Sequence, residues 1–530
     1  MKNRFDFVIV GAGSAGCVLA NRLSHEQRNR VLLIEAGGSD WNPWIHIPLG
    51  FGKLFNSKRE NWLDYTVAEP FLENRKIFQP RGKVIGGSSS INGLVYVRGQ
   101  REDYDHWERL GNSGWGYTDL LPYFLMAEDQ AHGLSSFHGT GGPLHVEDVP
   151  DRYQICDSFI EAAQQAGYPR NDDFNSAGQE GAGYFQMTTK RGVRQSTAKA
   201  YLKPVMKRRN LEVVTHAHVT RVVTDKGRAV GVEFLSNGHV RKVSAEREVI
   251  VCAGAIGSPQ ILQLSGIGSP DLLRNLDIPV AASLPGVGRN LQDHYRSMLV
   301  FRAIQGLSVN DSLRTFSGKF VSGIRYLVGR RGPLAISAGI GGGFFRTGSD
   351  VGRPDLQISI SMFSTTEVPG RLDKFSGFTA STIQLRPESR GTVSIKSANP
   401  LIPPVIQMNY LSTPKDREMA VIGIRLMRDI ATRPGMRAVI EEEILPGQSA
   451  LTDAQLLSHA KERGGSIFHP VGTCRMGSDD DAVVDRNLRV RGMEKLRVVD
   501  ASVMPTLISG NTNATTIAIA EKAASMILNE

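Results

Sequence analysis

Two kinds of hydrophobic pattern alternate along the chain. Near the start, Phe7-Val8-Ile9-Val10 is an unbroken apolar run that reads as a strand covered on both faces, as in a parallel sheet. Gly11-Ala12-Gly13-Ser14-Ala15-Gly16 follows, and after a helix-length interval comes a second buried run, Val31-Leu32-Leu33-Ile34. This is a strand, a helix and a parallel strand. Residues 211–214, 219–223, 229–234 and 248–251 predict further strands that belong with this first unit. From about 300 to 463 the pattern shifts to alternation, as in 355–360 and 378–385, which suits an antiparallel sheet with one covered face. After 464 the chain returns to a short apolar strand near 496–499 and a final helical stretch. The expected fold is α/β, with a discontinuous first domain into which a second is inserted.

The first unit carries specific chemistry. In Gly11-x-Gly13-x-x-Gly16, glycines let the backbone approach a pyrophosphate while the helix N-terminus directs NH groups at it. Glu35 ends the second strand nineteen residues past Gly16, where a carboxylate accepts hydrogen bonds from ribose hydroxyls and disfavours NADP. A nucleotide-binding domain is therefore expected.

Charge and composition change little. The 530 residues are 41% apolar, enough for a large core, and carry a formal charge of +9. Their 62 basic residues are scattered without a long run or an aromatic platform, so no nucleic-acid partner is expected. Cys17, Cys156, Cys252 and Cys474 lie far apart with no C-x-x-C spacing, which points to no metal site, no disulfide framework and a cytoplasmic location. No run of about 18 apolar residues suggests a membrane span. Residues 316–331 combine several apolar side chains with four basic ones. The expectation is a helix packed on its own domain with a solvated basic face. The alternative is a peripheral contact with the inner face of the cytoplasmic membrane.

Two further segments are rich in small residues: Gly82-Lys83-Val84-Ile85-Gly86-Gly87-Ser88-Ser89-Ser90-Ile91-Asn92, and 254–268, where a helix is expected to start with Ser258 as N-cap and Pro259 in the first turn. Together they resemble the two signatures of the glucose-methanol-choline (GMC) oxidoreductases. The segments 284–294, 469–477 and 498–502 also look like landmarks of that family. Within it the chain most resembles bacterial FAD-dependent alcohol dehydrogenases acting on primary alcohols, then choline dehydrogenases.

The resemblance implies FAD in a Rossmann-like domain formed by 1–145, 195–300 and 464–530, facing a substrate domain of 146–194 and 301–463 with an antiparallel sheet and helices. It assigns Gly11, Gly13, Gly16 and Glu35 to the ADP half of FAD, with Ser14, Ala15 and Ala36 beside them and Val219 near adenine. Arg81, Gly82, Val84, Gly87, Ser88, Asn92, Gly93, Val95, Ala253, Gly254, Asp500, Ala501, Asn511, Asn513, Ala514 and Thr515 complete the cofactor set. Some members attach FAD through a histidine just before the Asn that follows the Gly-Gly-x-Ser-Ser run. Ile91 stands there, so the FAD is expected to be noncovalent.

His469 and Asn513, 44 positions apart, resemble the family's catalytic pair. Imidazole suits a base that takes the hydroxyl proton, the Asn amide can hold the alkoxide, and hydride passes to flavin N5. A helix beginning near Thr515 would direct its N-terminus at the reduced ring. His294, after Asp293, is expected to be a structural hydrogen-bonding unit rather than a relay. Phe344, Phe345, Met362 and Phe363 are candidates for an apolar pocket wall, or for core. No second nucleotide fingerprint is present, so electrons are expected to leave to an external acceptor, a quinone or dye. Oxygen, giving H2O2, is the alternative. A hydroxynitrile lyase with structural FAD, or a flavin-binding protein without catalysis, would keep the fold but not the redox step.

Overall fold

The computed structural model describes residues 3–366 and 371–530. The two opening apolar runs become the strands Arg4–Val10 and Val31–Ile34, parallel neighbours with Val8 opposite Leu32. Their seven-stranded sheet runs in the order Leu211–Val214, Val31–Ile34, Arg4–Val10, His239–Val251, Arg228–Ser236 and Ala217–Asp225, with Leu496–Val498 also paired to His239–Val251. The long strand His239–Val251 serves two ladders. Its first residues pair antiparallel with Arg228–Ser236, and its last ones lie parallel between the chain's first and last strands, Val249 facing both Val8 and Leu496. The carboxyl ends of residues 10, 34, 251 and 498 therefore line up at one edge.

The terminal helices close this half of the molecule. Ser14–Leu23 packs on Thr512–Leu528, and the buried Glu521 of the latter accepts from Arg22 at 2.7 and 2.8 Å and from Tyr201 at 2.9 Å. A buried carboxylate is tolerated only when its oxygens are satisfied in this way.

The second sheet is antiparallel and orders Ile440–Leu445, Tyr295–Ala303, Gly377–Gln384, Leu356–Ser361, Gly341–Phe345 and Gly181–Tyr184, with Gly465–Ser466 also on Tyr295–Ala303. That strand crosses residue 300, and residues 465–466 pair with it, so the sheet draws on chain from both sides of the divisions expected there. One face packs the apolar residues Leu356, Ile358, Ile360, Phe378 and Ala380 into a core shared with Pro414–Ala431. The other face turns Thr379, Ser381 and Ile383 into the enclosed cavity described below, and Gly377–Gln384 is buried along its whole length. The expectation of a single covered face is corrected accordingly.

Two helices depart from the sequence reading. The second glycine-rich helix spans Gly254–Leu264, so Ser258 and Pro259 lie inside it and not at its start. Proline has no N–H to offer Ala255 O, one turn back. The hydroxyl of Thr473 donates to that carbonyl at 2.6 Å, while Ser258 Oγ accepts from Ala253 N at 3.0 Å and donates to Asp500 at 2.6 Å. The helix extends through its proline because side chains from elsewhere satisfy the backbone. The second departure is Phe316–Gly329. It buries Ser322 and Tyr326 and leaves its apolar stripe in solvent, the reverse of a helix packed through its apolar face.

The four cysteines are all buried and unpaired. Among the described residues no helix is long and apolar enough to cross a membrane.

Thr473→Val keeps the shape of the side chain and removes the donor to Ala255 O. A loss of about 1–3 kcal/mol is expected, the usual cost of orphaning a buried acceptor, read as a lower thermal unfolding midpoint.

Candidate active site

A cavity of about 2090 Å3 is walled by the carboxyl edge of the first sheet and the inner face of the second. That is well beyond the roughly 300–1,000 Å3 of a drug-sized ligand site, and leaves room for a dinucleotide and a substrate together. Gly11, Gly13, Ser14, Ala15, Glu35, Ala36, Arg81, Gly82, Gly87, Ser88, Asn92, Gly93, Val95, Val219, Ala253, Gly254, Asp500, Ala501, Asn511, Asn513 and His469 all line it. The structure thus brings together motifs from both ends of the chain.

Four expected cofactor residues are not on the wall. Gly16 packs the first helix onto its turn, where an added Cβ would stand 1.9 Å from Gly11 O. Val84 belongs to a small core with Ile45, Leu54 and Ile91, Ala514 is buried in the main core, and Thr515 bonds the Tyr104 hydroxyl at 2.8 Å.

The wall suits a diphosphate-linked cofactor on its own geometry. Gly87 has φ +52°, and a Cβ on it would fall 2.6 Å from Gly13 Cα, so the two glycine segments are in direct backbone contact. The N-termini of Ser14–Leu23 and Thr512–Leu528 both open into the cavity and favour negative charge there. Glu35 accepts from Ala12 N and Gly37 N, each at 2.8 Å. Burial pushes its pKa up to about 7 despite those two amide donors and nearby Lys83. Asp500, whose pKa burial also raises, accepts from Gly254 N, Ser258 and Ser502 N.

His469 stands on a strained turn. Phe468 before it has φ +72°, a conformation that a side chain disfavours. Three contacts impose it: Arg81 Nη2 donates to Phe468 O at 2.8 Å, Phe468 N donates to Ser466 Oγ at 2.7 Å, and His469 N donates to Asp293 Oδ1 at 2.7 Å. Tyr410 and Ser466 donate to the other oxygen of Asp293. Burial raises the pKa of that carboxyl against these donors and nearby Arg81.

The imidazole of His469 then enters a chain whose proton order can be read. His294 Nε2 lies 3.1 Å from Leu385 O, and a carbonyl only accepts, so Nε2 carries the hydrogen. Burial holds the His294 pKa down to about 4, so the ring is neutral and its Nδ1 is a lone pair. That lone pair sits 3.0 Å from His469 Nδ1, which must donate to it. Neutral His469 is left with its lone pair on Nε2, which accepts from Asn511 Nδ2 at 3.2 Å. Burial, then His294 and Arg81, depress the His469 pKa well below its ordinary 6.5. The result is an unprotonated nitrogen facing the cavity.

The amide beside His469 is that of Asn511, whereas the sequence reading paired His469 with Asn513. The final helix begins at Thr512, three residues before the expected start, with Asn511 as its N-cap. Residues two apart on a helix do not share a face. Asn513 Oδ1 instead accepts from Ser14 Oγ at 2.7 Å. Asn511 Oδ1 is buried and without a hydrogen-bond partner among the described residues.

Comparison with known proteins bears directly on this site. A family model described as GMC oxidoreductase matches residues 5–296, and a second of the same description matches 387–520. The chain belongs to the GMC oxidoreductases. This GMC oxidoreductase is 42% identical over 529 residues to "Alcohol dehydrogenase [acceptor]" of Pseudomonas putida, covering 99% of this chain and 96% of that one. It is 43% identical to "Oxygen-dependent choline dehydrogenase" of Vibrio vulnificus, covering 100% and 95%. Among solved structures it resembles pyridoxine 4-oxidase from "Mesorbium loti", with a TM-score of 0.90 at 31% identity and 99% of each chain covered. GMC oxidoreductases bind FAD and oxidise alcohols.

The remaining wall of this GMC oxidoreductase mixes apolar side chains such as Met298, Leu334 and Ile383 with polar ones. Phe344, Phe345 and Met362 are core residues, and only Phe363 of the four candidates reaches the cavity. The strand period explains the difference. Thr379, Ser381, Gln357, Ser359 and Ser361 alternate with the core residues and face inward, joined by Arg296, whose Nη1 donates to Ser381 Oγ at 3.2 Å. His294 is a hydrogen-bonding unit, as the sequence reading expected of the Asp293-His294 pair, and its partner is His469. Sequence reasoning had no means of finding Leu385, which acts through its backbone carbonyl.

His294→Phe removes the acceptor for His469 Nδ1–H and frees the ring to take the wrong tautomer. Alcohol oxidation is expected to slow by about ten- to a hundredfold with KM little changed. His294→Asn, whose amide oxygen can accept the same bond, should recover most of the rate. For His469 acting as a base the neutral form is the active one; its pKa is depressed, so the wild-type rate is expected to hold as pH falls to 6.5 and to decline only below it.

Proposed function

We propose that the protein oxidises an uncharged primary alcohol to its aldehyde and passes the electrons to an external, quinone-type carrier. The observation that carries this reading is the unprotonated Nε2 of His469, set by a neighbour whose own tautomer is fixed by a backbone carbonyl. Nε2 takes the hydroxyl proton of the substrate as the carbon gives up hydride. Bound FAD supplies the hydride acceptor, N5. Asn511, at the same nitrogen, and Asn513 are the amides available to the alcohol oxygen. Ser14 donates to Asn513 Oδ1, which leaves the NH2 of that amide as the group to hold an alkoxide. Gly11, Gly13, Glu35 and Val219 are assigned to the ADP half of the cofactor, and Asp500 and Ala501 to the flavin half.

Charge argues for a neutral substrate over a quaternary ammonium. The cavity wall carries Lys53, Lys58, Arg59, Arg81, Lys83, Arg296, Arg314, Lys319 and Arg371 against Glu35, Asp64 and Asp500, and two of those acids lie in the proposed cofactor half. A cationic alcohol such as choline would meet repulsion from Arg296, whose pKa burial lowers. For the acceptor, support comes from the name of the Pseudomonas putida relative and from the lack of a second nucleotide fingerprint. The cofactor is proposed to be noncovalent because Ile91, on the cavity wall, has no nucleophilic atom to attach it.

Anaerobic mixing with a panel of primary alcohols and choline, followed by flavin absorbance, tests the reaction. Bleaching by alkanols or aryl alcohols, with choline slow, is the expected result. A yellow colour that persists with every alcohol would move the protein to a lyase-type activity, and rapid reoxidation of the bleached enzyme by air would make oxygen the acceptor. His469→Ala should retain FAD and lose flavin reduction by about a hundredfold or more. Acid precipitation should leave all of the yellow colour in the supernatant, and colour in the pellet would mean a covalent flavin.

A further inference from the structure

The Phe316–Gly329 helix leaves a face uncovered. Its buried side is anchored by Tyr326, whose hydroxyl donates to Gly192 O at 3.0 Å. On the opposite side Phe316 is 88% exposed, Phe320 63%, Ile324 46%, Leu327 71% and Val328 85%. At about 100° per residue these five fall in one sector roughly 120° wide. Lys319 and Arg325 stand about 60° beyond its two edges. Contiguous patches of large apolar side chains are rare on soluble monomers and mark interaction surfaces.

The surrounding charge says which partner fits. From Ser312 to Ser349 the chain has no acidic residue, while Arg314, Lys319, Arg325, Arg330 and Arg331 cluster on or beside the helix. The nearest preceding acid, Asp311, is occupied by Gly306 N, Ser308 and Ser376. Asp151 accepts from Gly332 N and lies 4.0 Å from Arg331. A second copy packed face to face would set these cations against their own copies with no acid on the helix to pair them. An apolar stripe edged by basic side chains matches instead the boundary of an anionic bilayer, with rings and aliphatic chains below the headgroups and the cations among them.

We propose that this helix docks the protein on an anionic phospholipid surface. Leu313, Arg314 and Lys319, at the base of the helix, also line the cavity. Docking therefore puts the cavity beside the bilayer, where an amphiphilic alcohol or an apolar carrier is dissolved. The docking does not depend on the reaction proposed above.

The test is co-sedimentation of the holoenzyme with vesicles of equimolar phosphatidylglycerol and phosphatidylcholine, against phosphatidylcholine alone. Sedimentation with the anionic vesicles, weakened by high salt, is expected. The double variant Phe320→Glu and Leu327→Glu, both exposed and off the cavity wall, should keep its thermal midpoint and its turnover of a water-soluble alcohol, and lose binding by about tenfold or more. No sedimentation, or binding unchanged in the variant, would overturn the proposal. So would a wild-type dimer that becomes a monomer in the variant by light scattering, which would assign the face to a second copy.

Discussion

Everything at the site depends on one backbone ladder, in which Val249 pairs with Val8 on one side and Leu496 on the other. Strand pairing is what brings residues nearly five hundred positions apart to a common edge, and the carboxyl end of a parallel sheet is where ligands bind in such folds. Once the first and last strands flank the same partner, Gly11, Cys252 and Asp500 follow at successive strand ends. Glu521, held by Arg22 and Tyr201, ties the same two chain ends a second time through their helices. The glycine-rich wall of the cavity and the turn that carries His469 are thus parts of one edge.

The second sheet contributes by a different rule. Its alternation sorts Phe378 and Ala380 to the core and Thr379 and Ser381 to the cavity, so a single strand builds both an apolar interior and a polar wall. The large aromatic residues that suggest a binding pocket when read in sequence are consumed by packing. The smaller hydroxyl residues between them do the facing. Arg296 stands among them and donates to Ser381 Oγ, so this wall offers charge and hydrogen-bonding groups beside its apolar ones.

The first sheet was legible in the sequence because the strands at its centre carry unbroken apolar runs, 7–10, 31–34 and 249–251, the first leading straight into Gly11, and the motif positions followed from them. The sequence made the cavity legible as a set of residues, most of which do meet there. What it left hidden are cases in which one residue's backbone is satisfied by a distant side chain. Pro259 looked like a helix start because Thr473, more than two hundred positions away, cannot be seen supplying Ala255 O. Asn513 looked like the partner of His469 because the position of the N-cap decides which asparagine faces the ring, and caps are the least regular part of a helix. The uncovered stripe at 316–329 was readable as amphipathic but not as outward-facing, since periodicity reports a face without saying what lies against it.

The last link behind His469 is a main-chain oxygen, at Leu385. A side-chain acceptor at that point could be lost in one substitution or could titrate and reverse the order of protons. A peptide carbonyl can do neither. Any side chain at residue 385 that fits its small core leaves that carbonyl in place, and the proton order at His469 passes unchanged through every such exchange. The polarity of the proton chain is thus inherited from the path of the backbone, and would be altered only by a change that bends the chain there.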